Sequence, residues 1–164
     1  MPNTKYMIVA MLVVPVMAGA AELSPACQPI VAAMEKSLVA DHNTATTRAG
    51  QISHGVTIGG VNYIEVRGTW RKSPLTPQDS ITQTRENLKD AKSFTCSSLP
   101  DSVLNGVSVS NYSARTVTED DTTESKISIS KTTGRAVQVE NDNKSVRNAH
   151  YITQYSYDNV KAPM

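Results

Sequence analysis

Side chains able to do chemistry are few in this chain, and their spacing matches no known catalytic pattern. A hydrolase serine sits in a Gly-x-Ser-x-Gly turn; the nearest run here, Gly106-Val107-Ser108-Val109-Ser110, alternates Val with Ser as an ordinary strand does. The sequence holds no Gly-x-x-x-x-Gly-Lys phosphate loop, no Gly-x-Gly-x-x-Gly turn and no His-Glu-x-x-His zinc helix. His42, which follows Asp41, His54 and His150 each lie in a polar segment, where a solvated imidazole is expected in preference to a metal ligand. Glu119-Asp120-Asp121 and Glu140-Asn141-Asp142 lack the spacing of a calcium loop and fall where turns are expected, so both read as exposed loops. Asn111-Tyr112-Ser113 and Asn143-Lys144-Ser145 fit the glycosylation pattern, which matters only in a eukaryotic secretory host. The expectation is no catalytic residue, no metal, no cofactor and no enzymatic activity.

The pair Cys27 and Cys96 does carry chemistry. Lys5 precedes an apolar run from Tyr6 to Met17 and then Ala18-Gly19-Ala20, the layout of a secretory signal cut after residue 20. The run is interrupted by Pro15 and falls short of the ~20 apolar residues a membrane-spanning helix needs, so no stable membrane span is expected after cleavage. Two cysteines in a small exported domain predict a Cys27–Cys96 disulfide, and without a Cys-x-x-Cys spacing that bridge reads as structural and not redox-active. The expected location is periplasmic or secreted. Removing residues 1–20 leaves 144 of 164 residues, one domain's worth, and takes away Lys5, so 16 basic and 15 acidic residues become 15 and 15. A balanced chain without a basic run argues against a nucleic-acid partner.

Two helices and about seven strands are expected to position these residues, in an α+β domain over residues 21–164. Pro29, Ile30, Ala33, Met34 and Leu38 recur at helical spacing just after Cys27. Thr44 to Ile58 and Val61 to Arg71 read as two long strands around the Gly59-Gly60 turn, which would set Ile58 opposite Val61, Val56 opposite Tyr63, His54 opposite Glu65 and Ile52 opposite Arg67. Thr76-Pro77-Gln78-Asp79 opens a second helix to about Lys92, whose thin apolar stripe is Ile81, Leu88 and Ala91. A meander follows. A short strand carries Phe94 and Cys96 up to the Leu99-Pro100 break, and a longer one begins after Asn105-Gly106. Ile127 and Ile129 turn back through Thr132-Thr133-Gly134 to Val137 and Val139, and after Asn141-Asp142-Asn143 a last strand bears Val146, Tyr151, Ile152, Tyr155 and Tyr157.

The run from Lys126 to Val137, the Asn105-Gly106-Val107 entry into a strand with Tyr112, and the ending Tyr155-Ser156-Tyr157-Asp158-Asn159-Val160 resemble periplasmic lipoprotein carriers of the LolA/LolB-like type. That resemblance implies an unclosed, strongly curved, mostly antiparallel sheet, a half-barrel covered by helices with an apolar pocket between them. The chain departs from the pattern where Arg135-Ala136 replaces a common Leu-Pro, and Trp70 and Phe94 are its sole Trp and Phe.

The expected ligand-binding residues are therefore Trp70, Ile81, Leu88 and Ala91 against Ile127, Ile129, Val137 and Val139. The expected function is an exported, non-enzymatic binding module for a lipid, another apolar or amphiphilic ligand, or an envelope protein. The alternative is a structural or interaction domain without a small-molecule pocket, in which Trp70 and the row Tyr151, Tyr155 and Tyr157 serve packing alone.

Overall fold

The structure, a computed structural model, describes residues 23–144 and 149–163. The expected signal peptide and Val146 lie outside the described residues. Helix α1 (Gln28–Val39) starts with Pro29 in its first turn and Cys27 as its N-cap. Strands β1 (His42–Arg48), β2 (Gln51–Ile58), β3 (Val61–Val66) and β4 (Thr69–Lys72) form a run of hairpins, followed by helix α2 (Pro77–Asp90). Strands β5 (Ser93–Leu104), β6 (Val107–Val117), β7 (Thr122–Ser130), β8 (Ala136–Asn143) and β9 (Ala149–Ser156) complete one antiparallel sheet in the order β4-β3-β2-β1-β9-β8-β7-β6-β5. No helix among the described residues is long and apolar enough to cross a membrane.

The sheet has nine strands where about seven were expected, because two turns lack their usual first residue. Ala49-Gly50 and Arg67-Gly68 take positive φ at both positions (49° and 77°; 53° and 75°), as Gly59-Gly60 and Asn105-Gly106 do. Such two-residue turns favour Gly or Asn at the first position, so Ala49 and Arg67 concealed them. The Gly59-Gly60 register holds from Ile58↔Val61 through Val56↔Tyr63 to Gly55↔Ile64 and stops there; His54 faces Ala45 on β1, and Glu65 faces Trp70 on β4. Pro100 does not end β5, which continues past it through a bulge between Leu99 and Ser102. Asn141, Asp142 and Asn143 lie within β8 and not in a turn, since cross-strand partners satisfy their side chains: Ser125 Oγ donates to Asn141 at 2.6 Å, and His150 lies 2.7 Å from Asp142.

The sheet stays open because its edges, β4 and β5, are consecutive strands joined by α2 and are not paired. Laid flat, nine strands would separate those edges by ~38 Å. The 14-residue α2 covers only ~21 Å. Its start is fixed by a reciprocal cap, in which Asp79 N–H donates to Thr76 Oγ1 at 3.1 Å and Thr76 N–H to Asp79 Oδ2 at 2.9 Å. Helix α1 packs on β7 and β8, burying Ile30 and Ala33 against Ala114, Ile127, Ile129, Ala136 and Val139. Helix α2 lies against α1, where Arg85 donates to both carboxylate oxygens of Glu35 at 2.7 and 2.9 Å. The Cys27–Cys96 disulfide ties the start of α1 to β5 across a separation of 69 residues.

Candidate functional site

The eight residues expected to line an apolar pocket do not meet in one place. Ile127, Ile129 and Val139 are core residues closed over by α1, at 3%, 7% and 8% exposure. Ile81 is buried, while Leu88 and Ala91 are half-buried at the far end of α2. Counted through the paired strands, Val139, Thr153 and Thr46 share the face that carries the helices. Trp70 is level with Glu65, in step with Tyr63, Val56, Asn43 and Ser156, and so belongs to the opposite face. Val137 stands apart from the core at a bulge, where β8 passes from Ser128↔Gln138 to Ile129↔Ala136.

Val137 marks a cleft that three irregularities build. A bulge bends its strand, and the one around Pro100 falls in the β5–β6 hairpin, whose tip residue Asn105 borders β8 and β9. The second is the β8 bulge at Val137 itself. The third is the early end of the β8–β9 ladder at Gln138↔Gln154, while β9 stays paired with β1 out to Ser156↔Asn43. Between these lies a cavity of about 690 Å³, with a smaller one of about 270 Å³ beside it; Asn105, Val137, Tyr155 and Ser156 border both.

Hydroxyl groups and short apolar side chains line the larger cavity. Ser108, Ser130, Thr132, Thr133 and Ser156 supply hydroxyls, Val107 and Val137 the apolar wall, and Asp158 is its one carboxylate. Burial, with a smaller contribution from Tyr157, pushes the Tyr155 phenol up to about 12. Burial also raises Tyr157, opposed by its hydrogen bond with Ser37 and by Arg135, whose guanidinium carbon stands 5.1 Å over the Tyr157 ring. Neither tyrosine nor a lone carboxylate forms the pair of groups that exchanges protons near neutral pH. The cleft is equipped to bind uncharged polar and apolar groups.

The side of the cleft nearest α1 is held by side chains in place of a strand. Ser37, fully buried, donates to Ala33 C=O at 2.7 Å and accepts Ala136 N–H at 2.8 Å, while Tyr157 O–H donates to Ala136 C=O at 2.7 Å. Nearby His42 is buried and not solvated as expected: its Nδ1 lies 2.8 Å from Ala40 C=O, and Tyr155 and Tyr157 rings flank it at 5.5 and 6.0 Å. Burial holds its imidazole below the ordinary value.

A second depression, of about 440 Å³, lies among Ser97, Ser113, Arg115, Glu124, Lys126 and Asp142. Three of its four charged side chains stand in ion pairs: Glu124 with Lys144 at 2.7 Å, Lys126 with Glu140 at 3.9 Å and Asp142 with His150 at 2.7 Å. Glu140, Asp142 and His150 offer ligand atoms within 4.8 Å of one another, and exposed ion pairing accounts for the arrangement.

No family model and no curated protein matches the chain. Among solved structures it is similar to the lipoprotein LppX of Mycobacterium tuberculosis, with 9% identity over 82% of this chain and 98% of that one and a TM-score of 0.47. It is similar to LprF from Mycobacterium bovis, with 10% identity over 86% and 95% and a TM-score of 0.47. A third neighbour is MucB in complex with MucA(peri), with 10% identity over 84% of this chain and 60% of that one and a TM-score of 0.45. The described residues form an α+β protein whose open antiparallel sheet carries two helices, the architecture that the resemblance to lipoprotein carriers implies.

Proposed function

We propose that this chain is an exported, non-enzymatic binding module that takes an apolar or amphiphilic ligand, or a segment of an exported partner, in the cleft around Val137. The observation that carries this reading is the cleft itself: about 690 Å³, within the ~300–1,000 Å³ usual for ligand sites, walled by hydroxyls and valines and holding a single carboxylate. Hydrocarbon is accommodated by Val107 and Val137, and the hydroxyls serve a neutral polar group. A ligand seated between the helices and the sheet, against Ile127, Ile129 and Val139, would have to part a core that α1 already closes. That closed core also favours the second reading, a structural domain without a ligand.

Titration of the secreted chain, residues 21–164, with Nile red tests the choice. Binding at micromolar affinity or tighter, ~−8 kcal/mol, is expected. Val137→Trp should weaken it at least tenfold, while Leu88→Trp leaves it unchanged. Loss on Leu88→Trp instead would move the ligand beneath α2, and no binding by the parent chain would leave the structural reading.

A further inference from the structure

Two cations stand beside the cleft without an anionic partner. The hydrogen bond from Ala136 N–H to Ser37 Oγ pins α1 to β8 and so sets the preceding residues of each, Arg135 and Lys36, in adjoining positions. Lys36 Nζ reaches the β7–β8 turn and lies 3.5 Å from where a side chain on Gly134 would begin, an approach that the bare glycine leaves open. Arg135 is half-buried, and its Nε is the one buried side-chain polar atom without a hydrogen-bond partner among the described residues. Neither Lys36 nor Arg135 forms an ion pair among the described residues, whereas Arg85, Lys126, Lys131 and Lys144 each hold a carboxylate. A cation in the last turn of a helix suits the helix dipole without any ligand, which accounts for Lys36 taken alone. A guanidinium drawn partly out of water and given no acceptor is costly until something supplies one.

We propose that Lys36 and Arg135 together bind a phosphate group at the border of the cleft. For a phosphate that heads an amphiphile, this rests on the reading of the cleft as a binding site and names its ligand; a free phosphate ion would use the same donors. Tyr157 joins cleft and cations, since it borders the cleft and carries the Arg135 guanidinium carbon 5.1 Å over its ring. Thr133, also on the border, accepts Arg135 N–H on its Oγ1 at 3.3 Å and keeps its own O–H to donate. Phosphate suits cations that come from two elements, because it offers them several acceptor oxygens and close to two negative charges. No cation lines the cleft itself, so the charged group stays at Lys36 and Arg135 while the valines and hydroxyls hold the uncharged part. Asp158, the one carboxylate of the lining, would repel a phosphate moved deeper into the cleft.

The test is an NMR titration of ¹⁵N-labelled residues 21–164 with decyl phosphate below its micellar concentration, with decanol and with inorganic phosphate. A phosphate-headed ligand predicts that decyl phosphate binds roughly tenfold tighter than decanol, with amide shifts at Thr133, Gly134 and Arg135. Arg135→Gln should abolish that advantage, Arg135→Lys should keep part of it, and Lys36→Gln should reduce it roughly threefold; none of them should alter decanol binding. Lys36 is exposed, so its variant reads the site even where Arg135→Gln unfolds the chain. Saturable shifts at the same amides from inorganic phosphate, lost in Lys36→Gln, with decyl phosphate binding no tighter than the free ion, would assign the site to free phosphate. Equal affinity for decyl phosphate and decanol, or an advantage that both neutral variants leave untouched, overturns the proposal. If decanol still binds in a Val137-dependent way in that case, the binding module stands and the phosphate site falls; if no amphiphile binds and the free ion shifts nothing, both fall.

Discussion

Replacing Ser37 by alanine removes the hydroxyl that holds β8 against α1. Its Oγ is fully buried and is the partner of Ala136 N–H at 2.8 Å; Ala136 is itself fully buried, so no water can take over the bond. A buried donor left unpaired costs ~1–3 kcal/mol. The other bond, from Ser37 Oγ to Ala33 C=O, adds little when lost, because that carbonyl also accepts within the helix. The expected loss is therefore about 2 kcal/mol. With a urea slope of ~1–3 kcal/mol per molar, the unfolding midpoint should fall by roughly 1 M. Equilibrium urea unfolding of parent and Ser37→Ala chains measures this, and hydrogen exchange at the Ala136 amide localises it. A midpoint shift equivalent to less than ~0.5 kcal/mol, with the Ala136 amide still protected, would refute the role given to Ser37.

Reducing Cys27–Cys96 releases a closure of 69 residues and should lower stability by about 4 kcal/mol in the chain-entropy account, read as the difference between urea curves with and without reductant. Ala49 adopts a left-handed φ of 49°, so Ala49→Gly should raise stability by ~1 kcal/mol in the same assay, and a fall would show that the turn is not strained. Because burial lowers the His42 pKa from its ordinary 6.5, the unfolded chain takes up that proton first. His42 therefore contributes stability that is present above about pH 6.5 and lost as pH falls through the lowered folded value; His42→Gln should flatten that slope, and an unchanged slope would contradict it.

Much of the scaffold was legible because local chemistry dictates it. Thr76, Pro77 and Asp79 specify a helix start in any context, Gly59-Gly60 and Asn105-Gly106 specify turns, and the two cysteines specify a bridge once the chain is exported. The two extra hairpins were hidden by Ala49 and Arg67, which adopt left-handed geometry because the flanking ladders impose it. The cleft was less legible still. Of the residues named for ligand binding only Val137 borders it, and it does so through a bulge that alternation of Val and polar residues does not encode. Asn105, Tyr155, Ser156 and Tyr157 were visible as turn and strand residues, yet what gathers them is the pairing of β9 with β1, a contact between residues more than 100 positions apart. The buried state of His42 escaped notice for the same reason, since its neighbours Tyr155 and Tyr157 come from the other end of the chain.

The most direct test of the central claim is to map where a neutral amphiphile binds residues 21–164, using octyl glucoside below its micellar concentration and backbone amide shifts as the readout. Binding in the cleft predicts saturable shifts at Asn105, Val107, Val137 and Ser156 that Val137→Trp removes. Saturable shifts confined to Leu88, Ala91 and their neighbours on α2, or no saturable shift anywhere, would contradict it.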